Sequence, residues 1–269
     1  MTGALSRPSA GAAIREVLLA SHPRDKVMAT RALARAWRQG RLEFPFDTAM
    51  PDEPGRPERP ELLEPCRMPK RGRGQSLRGR IALFHAIAHI EFAAIDLALD
   101  MAGRFGGAMG PQFTGDFLSV AADEAMHFAL LDRHLASLGS HYGALPAHGG
   151  LLAAARDTRH DVAARLAVVP MVLEARGLDA TPAMIERVRA AGDMAGAMIL
   201  KRILDDEIRH VRIGTSHFET LCQRSGDDPQ ALWKTLVNRY FRGSVKPPFN
   251  DSARQAAGLS LGYYAALAD

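Results

Sequence analysis

The chain has little of what a secreted, membrane-spanning or β-rich protein needs. Two cysteines in 269 residues, Cys66 and Cys222, cannot build a disulfide framework, so a reducing, cytoplasmic setting is expected. Aromatic residues make up 6%, and alternating runs of Val, Ile, Thr and Tyr are nearly absent, which argues against sheets. No uninterrupted apolar run approaches the roughly 20 residues that span a bilayer, so no membrane partner is expected. The stretch Met1 to Arg15 holds no continuous apolar core of a secretory signal. The formal charge of +4 and pI near 9.3 permit an anionic partner without demanding one.

What is present favours helices. Hydrophobic residues are 47% of the chain, and Ala, Leu and Arg are abundant. Residues 1–66 read as an N-terminal extension with helices near 9–20 and 25–39, followed by a linker over 45–66 that holds six prolines. Residues 67–80 carry six basic residues and no acid, which suits either a nucleic-acid contact or a solvated loop entering a helix; no aromatics are interleaved for base stacking. Residues 67–226 read as one helical bundle, and 227–269 as a C-terminal helical extension.

Within the bundle the apolar periodicity predicts helices near 79–102, 112–138, 157–178 and 193–224. Gly103 to Pro111 reads as a breaker-rich loop, and 140–156 as a long crossover. Pro170 is expected to bend the third helix. Thr181-Pro182 reads as the start of a short helix to about 191. Asp228-Pro229 starts another to about 241, and a last helix is expected over 252–267.

Each core helix places acids on its apolar face. Glu91 falls on the stripe of Phe84, Ile87, Ala88 and Ile95. Glu124 and His127 share a face with Phe117, Val120 and Leu131. Glu174 follows Ala167 and Met171, and Glu207 and His210 follow Leu200 and Ile203. Residues three apart on a helix share a face, so each Glu-x-x-His aims a carboxylate and an imidazole into a core. Unpaired, such groups are costly to bury. The order Glu, Glu-x-x-His, Glu, Glu-x-x-His is that of ferritin-like di-iron and di-manganese bundles. Glu91 precedes Glu124 by 33 residues, Glu174 precedes Glu207 by 33, and 50 residues separate the halves. Two equivalent hairpins joined by a crossover would give that spacing.

Four carboxylates and two imidazoles can hold two divalent transition-metal ions, their charges balancing. Fe/Fe is the first expectation, and Mn/Fe or Mn/Mn uses the same ligands. Asp123 and Asp206 precede the two Glu-x-x-His motifs. A ligating His usually donates its other N–H to a carboxylate, so Asp206 is expected to serve His127, Asp123 to serve His210, and Arg209 to offset these acids. The competing reading is a structural network in which arginines pair the acids. His85 and His89 suit outer positions around the metals or hydrogen bonds between helices, and His148 a loop hydrogen bond.

Asp-Glu-x-Arg-His resembles the motif of bacterial multicomponent monooxygenases and ribonucleotide reductase small subunits, and the six-ligand order is similar to that of bacterioferritins. HAIAHIEFAAIDLALD (85–100), VPMVLEARGLDATP (169–182), ILDDEIRHVRIG (203–214), YGALPAHGGL (142–151) and VKPPFN (245–250) more closely resemble the bacterial ferritin-like family called domain of unknown function 455. Leu152 stands in the crossover where that family often has Trp. The resemblance implies an all-α, ferritin-like four-helix bundle with a long crossover and extra terminal helices. It implies no substrate. The expected function is a di-iron or Mn/Fe oxidoreductase that activates dioxygen to oxidise or hydroxylate a small organic molecule, as a monomer or homodimer. Iron handling as a ferroxidase and hydroxylation of a tRNA nucleoside are the alternatives.

Overall fold

The computed structural model describes residues 7–44, 46–64, 67–69 and 76–265; Cys66 and the Lys70, Arg71 and Arg73 of the basic run lie outside these. Among the described residues the regular structure is helical, with two isolated bridges, Ser9 to Glu43 and Leu62 to Ala147. The fold is all-α. The chain divides into two compact units, residues 1–60 with 89–129, and residues 61–88 with 130–269.

In the first unit, helix α1 (Ala10–Leu19) is capped by Ser9, whose hydroxyl accepts from Ala12 N. Helix α2 (Pro23–Arg38) begins on a proline, where the missing N–H costs nothing. Its Lys26 is fully buried and donates to Leu18 O at 3.2 Å, to Gly55 O at 2.8 Å and to the Asp96 carboxylate. That ammonium therefore joins α1, the proline-rich segment and helix α3 (Leu77–Met109). Burial pushes its pKa down against the pull of Asp96, and burial pushes Asp96 up to about 6.

Helix α3 corrects an expected boundary. It does not stop at Gly103 but runs through Gly103, Gly106 and Gly107 to Met109, ending before Gly110 at φ +98°. Those glycines are contact points. A β-carbon on Gly103 would lie 2.4 Å from Met50 Sδ, and one on Gly106 2.4 Å from Thr114 Oγ1. The packing this permits outweighs a helix cost of about 1 kcal/mol per glycine. One 18-residue window of α3 is apolar enough to cross a membrane, but 72% of it is buried inside the fold, as in a core helix. Helix α4 (Pro111–Ser137) follows, and Gly139 at φ +77° ends it.

In the second unit the crossover carries a helix of its own, α5 (Gly150–Asp157). The helix expected over 157–178 is broken. Thr158 to Asp161 interrupt it, and the Asp161 carboxylate caps α6 (Val162–Val168) by accepting from Ala163 N and Ala164 N. A π-helical turn then spans Val169–Glu174 around Pro170, where a straight helix would leave a carbonyl unpaired.

Helix α7 (Ala175–Ala190) is one helix, so Thr181-Pro182 is not a start. Proline inside a helix removes the bond to the carbonyl four residues back. Here that carbonyl is Leu178 O, and Asn250 Nδ2 donates to it at 3.1 Å. The replacement comes from the VKPPFN segment, and Arg254 adds a buried ion pair to Asp179 at 2.7 Å.

Helix α8 (Met194–Ser225) is capped by Asp193, which accepts from Gly196 N, and closes on Gly226 at φ +78°. It packs on α6, the π turn and α7. Helix α9 (Pro229–Tyr240) starts where Asp228-Pro229 indicated. The last expected helix is instead two, α10 (Asp251–Ala256) and α11 (Leu261–Tyr264), parted at Gly258, whose φ of +84° ends the first.

Candidate metal centre

Glu91 lies near the middle of α3, on the face with Phe84, Ala88 and Ile95, all buried. Helix periodicity dictates that placement: residues four and seven apart stack on one side. On α4 the same rule sets Glu124 and His127 beside Phe117, Ala121, Phe128 and Leu131. On α8 it sets Glu207 and His210 beside Leu200, Ile203 and Val211.

Glu91 is 4% exposed, Glu124 1%, and His127 and His210 not at all. His127 Nδ1 lies 3.1 Å from Glu91 Oε2 and 3.4 Å from Glu124 Oε2. One ligand atom each from Glu91, Glu124, His127 and Glu207 lies within 4.8 Å of the other three. His210 Nδ1 is 3.8 Å from Glu207 Oε1. This buried group of four could hold a metal ion.

The structure thus gathers four of the six expected ligands. Glu174 and His210 fall outside that group. Glu174 ends the π turn and is half-buried, and His210 is held beside Glu207. Of the acids and the arginine expected around them, Asp123 is half-buried and Arg209 exposed. Asp206 accepts from Arg202 Nε at 2.6 Å along its own helix.

The electrostatics follow from crowding acids in a dry core. Burial pushes the Glu91 carboxyl well above its usual range, the neighbouring Glu124 pushes it further, and the bond to His127 opposes both. Like charges this close are tolerated only with protons or cations between them. Three carboxylates and an imidazole form an N/O donor set suited to iron, manganese or zinc, and no thiolate is among them. The donor set fits transition-metal ions.

His85 plays a different part from the outer metal position considered above. It is 1% exposed, and its Nε2 accepts from Gly143 N at 3.0 Å and Leu145 N at 3.4 Å. Its ring stacks on Tyr142, with centroids 5.7 Å apart. An imidazole nitrogen that accepts N–H bonds carries no proton, so the ring is neutral. Burial pulls its pKa down to about 4, with His141 adding to the effect. His148 makes the loop bond expected of it, accepting from Gly150 N at 3.4 Å.

Sequence reading missed a second polar cluster. His134 Nε2 and Arg80 meet Asp193 Oδ2 at 3.0 and 3.2 Å, joining α4, α3 and the cap of α8. No local spacing announces residues so far apart in sequence.

The family model described as protein of unknown function (DUF455) matches residues 19–265. An uncharacterised protein of Haemophilus influenzae is 42% identical over 210 residues, covering 76% of this chain and 73% of that one. No solved structure matches.

Proposed function

The chain belongs to the family of proteins of unknown function DUF455, a description that names no reaction, and from its buried acids and histidines we propose a dinuclear-metal oxidoreductase that uses dioxygen to oxidise or hydroxylate a small organic molecule. The observation that carries this reading is the convergence of Glu91, Glu124, His127 and Glu207 within 4.8 Å in a buried setting. Glu174 and His210 complete the set in this proposal. The ferritin-like bundle it implies takes α3, α4, the 162–190 helical segment and α8 as core helices.

When bound, two redox-active ions would supply the electrons that reduce dioxygen. Iron at both positions is proposed first, with manganese at one or both as the variant. The electron donor is a separate partner in this reading. The chain's own residues supply the rest. The carboxylates balance the charge of the ions, and the surrounding Phe117, Leu131 and Leu200 exclude water. Asp123 and Asp206 are proposed to orient the two imidazoles, and Arg209 to offset those acids.

Oxygen consumption tests the proposal. Protein loaded with iron and chemically reduced should consume dioxygen at a rate that Glu207→Ala abolishes. Equal consumption by both would sink it. Fast oxidation of ferrous ions with no oxidised organic product, across candidate substrates, would favour iron handling instead.

A further inference from the structure

A cavity of about 700 Å³ opens beside the start of α3. Its size is within the ~300–1,000 Å³ of small-molecule sites. Met68, Ile81, Ala82, Leu145 and Pro146 line it, and so does the His85 ring. Arg78 lines it too and is exposed.

The walls are built rather than incidental. Ile81 and Ala82 sit on the first turns of α3, a 33-residue helix. The facing wall, Leu145 and Pro146, is held to α3 by His85, which accepts from Gly143 N and Leu145 N. It is pinned again just beyond, where Ala147 N donates to Glu61 O and Leu63 N donates to Ala147 O, both near 2.9 Å. Because His85 spends Nε2 on the backbone, it fixes the wall without bringing a charge into the cavity.

We infer that this cavity binds a medium-chain aliphatic carboxylate, its chain along Ile81, Ala82 and Leu145 and its head group beside Arg78. An unbranched chain suits walls that are mainly aliphatic. An anionic end suits the Arg78 guanidinium, placed where solvent reaches. The inference concerns binding alone and stands whether or not the chain carries metals.

Titration calorimetry of the full chain with decanoate and with decanol provides the test. The expected result is one saturable decanoate site per chain. Ala82→Phe, which fills the cavity from α3, should weaken both probes by about tenfold or more. Arg78→Gln should weaken decanoate by about fivefold, as an exposed ion pair allows, and leave decanol unchanged. Melting temperatures show which variants are folded, and Leu145→Trp fills the cavity from the opposite wall should Ala82→Phe fail to fold. Absence of saturable decanoate binding by the wild type, or unchanged binding by a folded cavity-filling variant, would overturn the inference. Equal loss of both probes in Arg78→Gln would overturn its anionic part.

Discussion

The ring of Pro170 fills the place where a side chain on Gly214 would go. A β-carbon added to Gly214 would lie 2.4 Å from both Cβ and Cγ of Pro170. Helix α8, which carries Glu207 and His210, therefore meets the π turn that ends in Glu174 at a proline-on-glycine contact. Gly214→Ala should cost about 1–3 kcal/mol by overpacking. Pro170→Gly removes both clashing atoms, so the double variant should lose less than the two singles added. Chemical denaturation of the four proteins checks this. Strict additivity would show that the contact is not what demands glycine.

Asn250 should matter for the same kind of reason, at Pro182 within α7. It supplies the hydrogen bond that Pro182 denies to Leu178 O. Asn250→Ala should cost about 1–3 kcal/mol, the range for a buried carbonyl left unsatisfied. In a Pro182→Ala background, where residue 182 regains its N–H, the cost should shrink. What persists is the loss of the α10 cap, since Asn250 Oδ1 also accepts from Ala253 N.

The legible parts of this chain were those with a local signature. Glu124 with His127 and Glu207 with His210 announce themselves by a three-residue spacing inside apolar helices. Asp228-Pro229 marked the start of α9 because a cap and its proline are neighbours. The illegible parts depend on distant partners. Gly103 and Gly107 look like breakers until Met50 and Phe46 arrive against them. Pro182 looks like a helix start until Asn250 supplies a donor from the far end of the chain. Nothing near Lys26 shows that its charge will be met by Asp96, 70 residues on. Pairing across such distances is a property of the packed fold.

That buried pair gives a pH-dependent prediction. Lys26→Met should destabilise the protein by about 3–5 kcal/mol at about pH 8, because it leaves the Asp96 carboxylate buried and uncompensated. Asp96 already has its pKa raised from 3.8 to about 6. A raised acid favours the folded state at low pH, and that contribution is lost as pH rises through the folded value. The penalty of Lys26→Met should therefore be smaller at about pH 5 than at about pH 8, since protonated Asp96 needs no partner. Urea unfolding at both values checks it, and a penalty independent of pH would contradict the burial argument.

His85 should act with the opposite sign. Its folded pKa is depressed from 6.5 to about 4, so its contribution to stability is present above 6.5 and lost as pH falls toward 4. His85→Gln removes the titrating ring, so the difference in unfolding free energy between wild type and variant should narrow as pH falls over that window. A constant difference would mean that His85 does not hold the 142–146 segment as a neutral acceptor.

Metal content reports most directly on whether the buried acids and histidines form a metal centre, as proposed. It is read by plasma mass spectrometry on purified protein after anaerobic loading with ferrous ion and removal of excess. Two tightly held transition-metal ions per chain are expected, and loss of both in a folded Glu91→Ala variant. Retention of no ion by the wild type, or the same content in wild type and Glu91→Ala, would contradict the proposal.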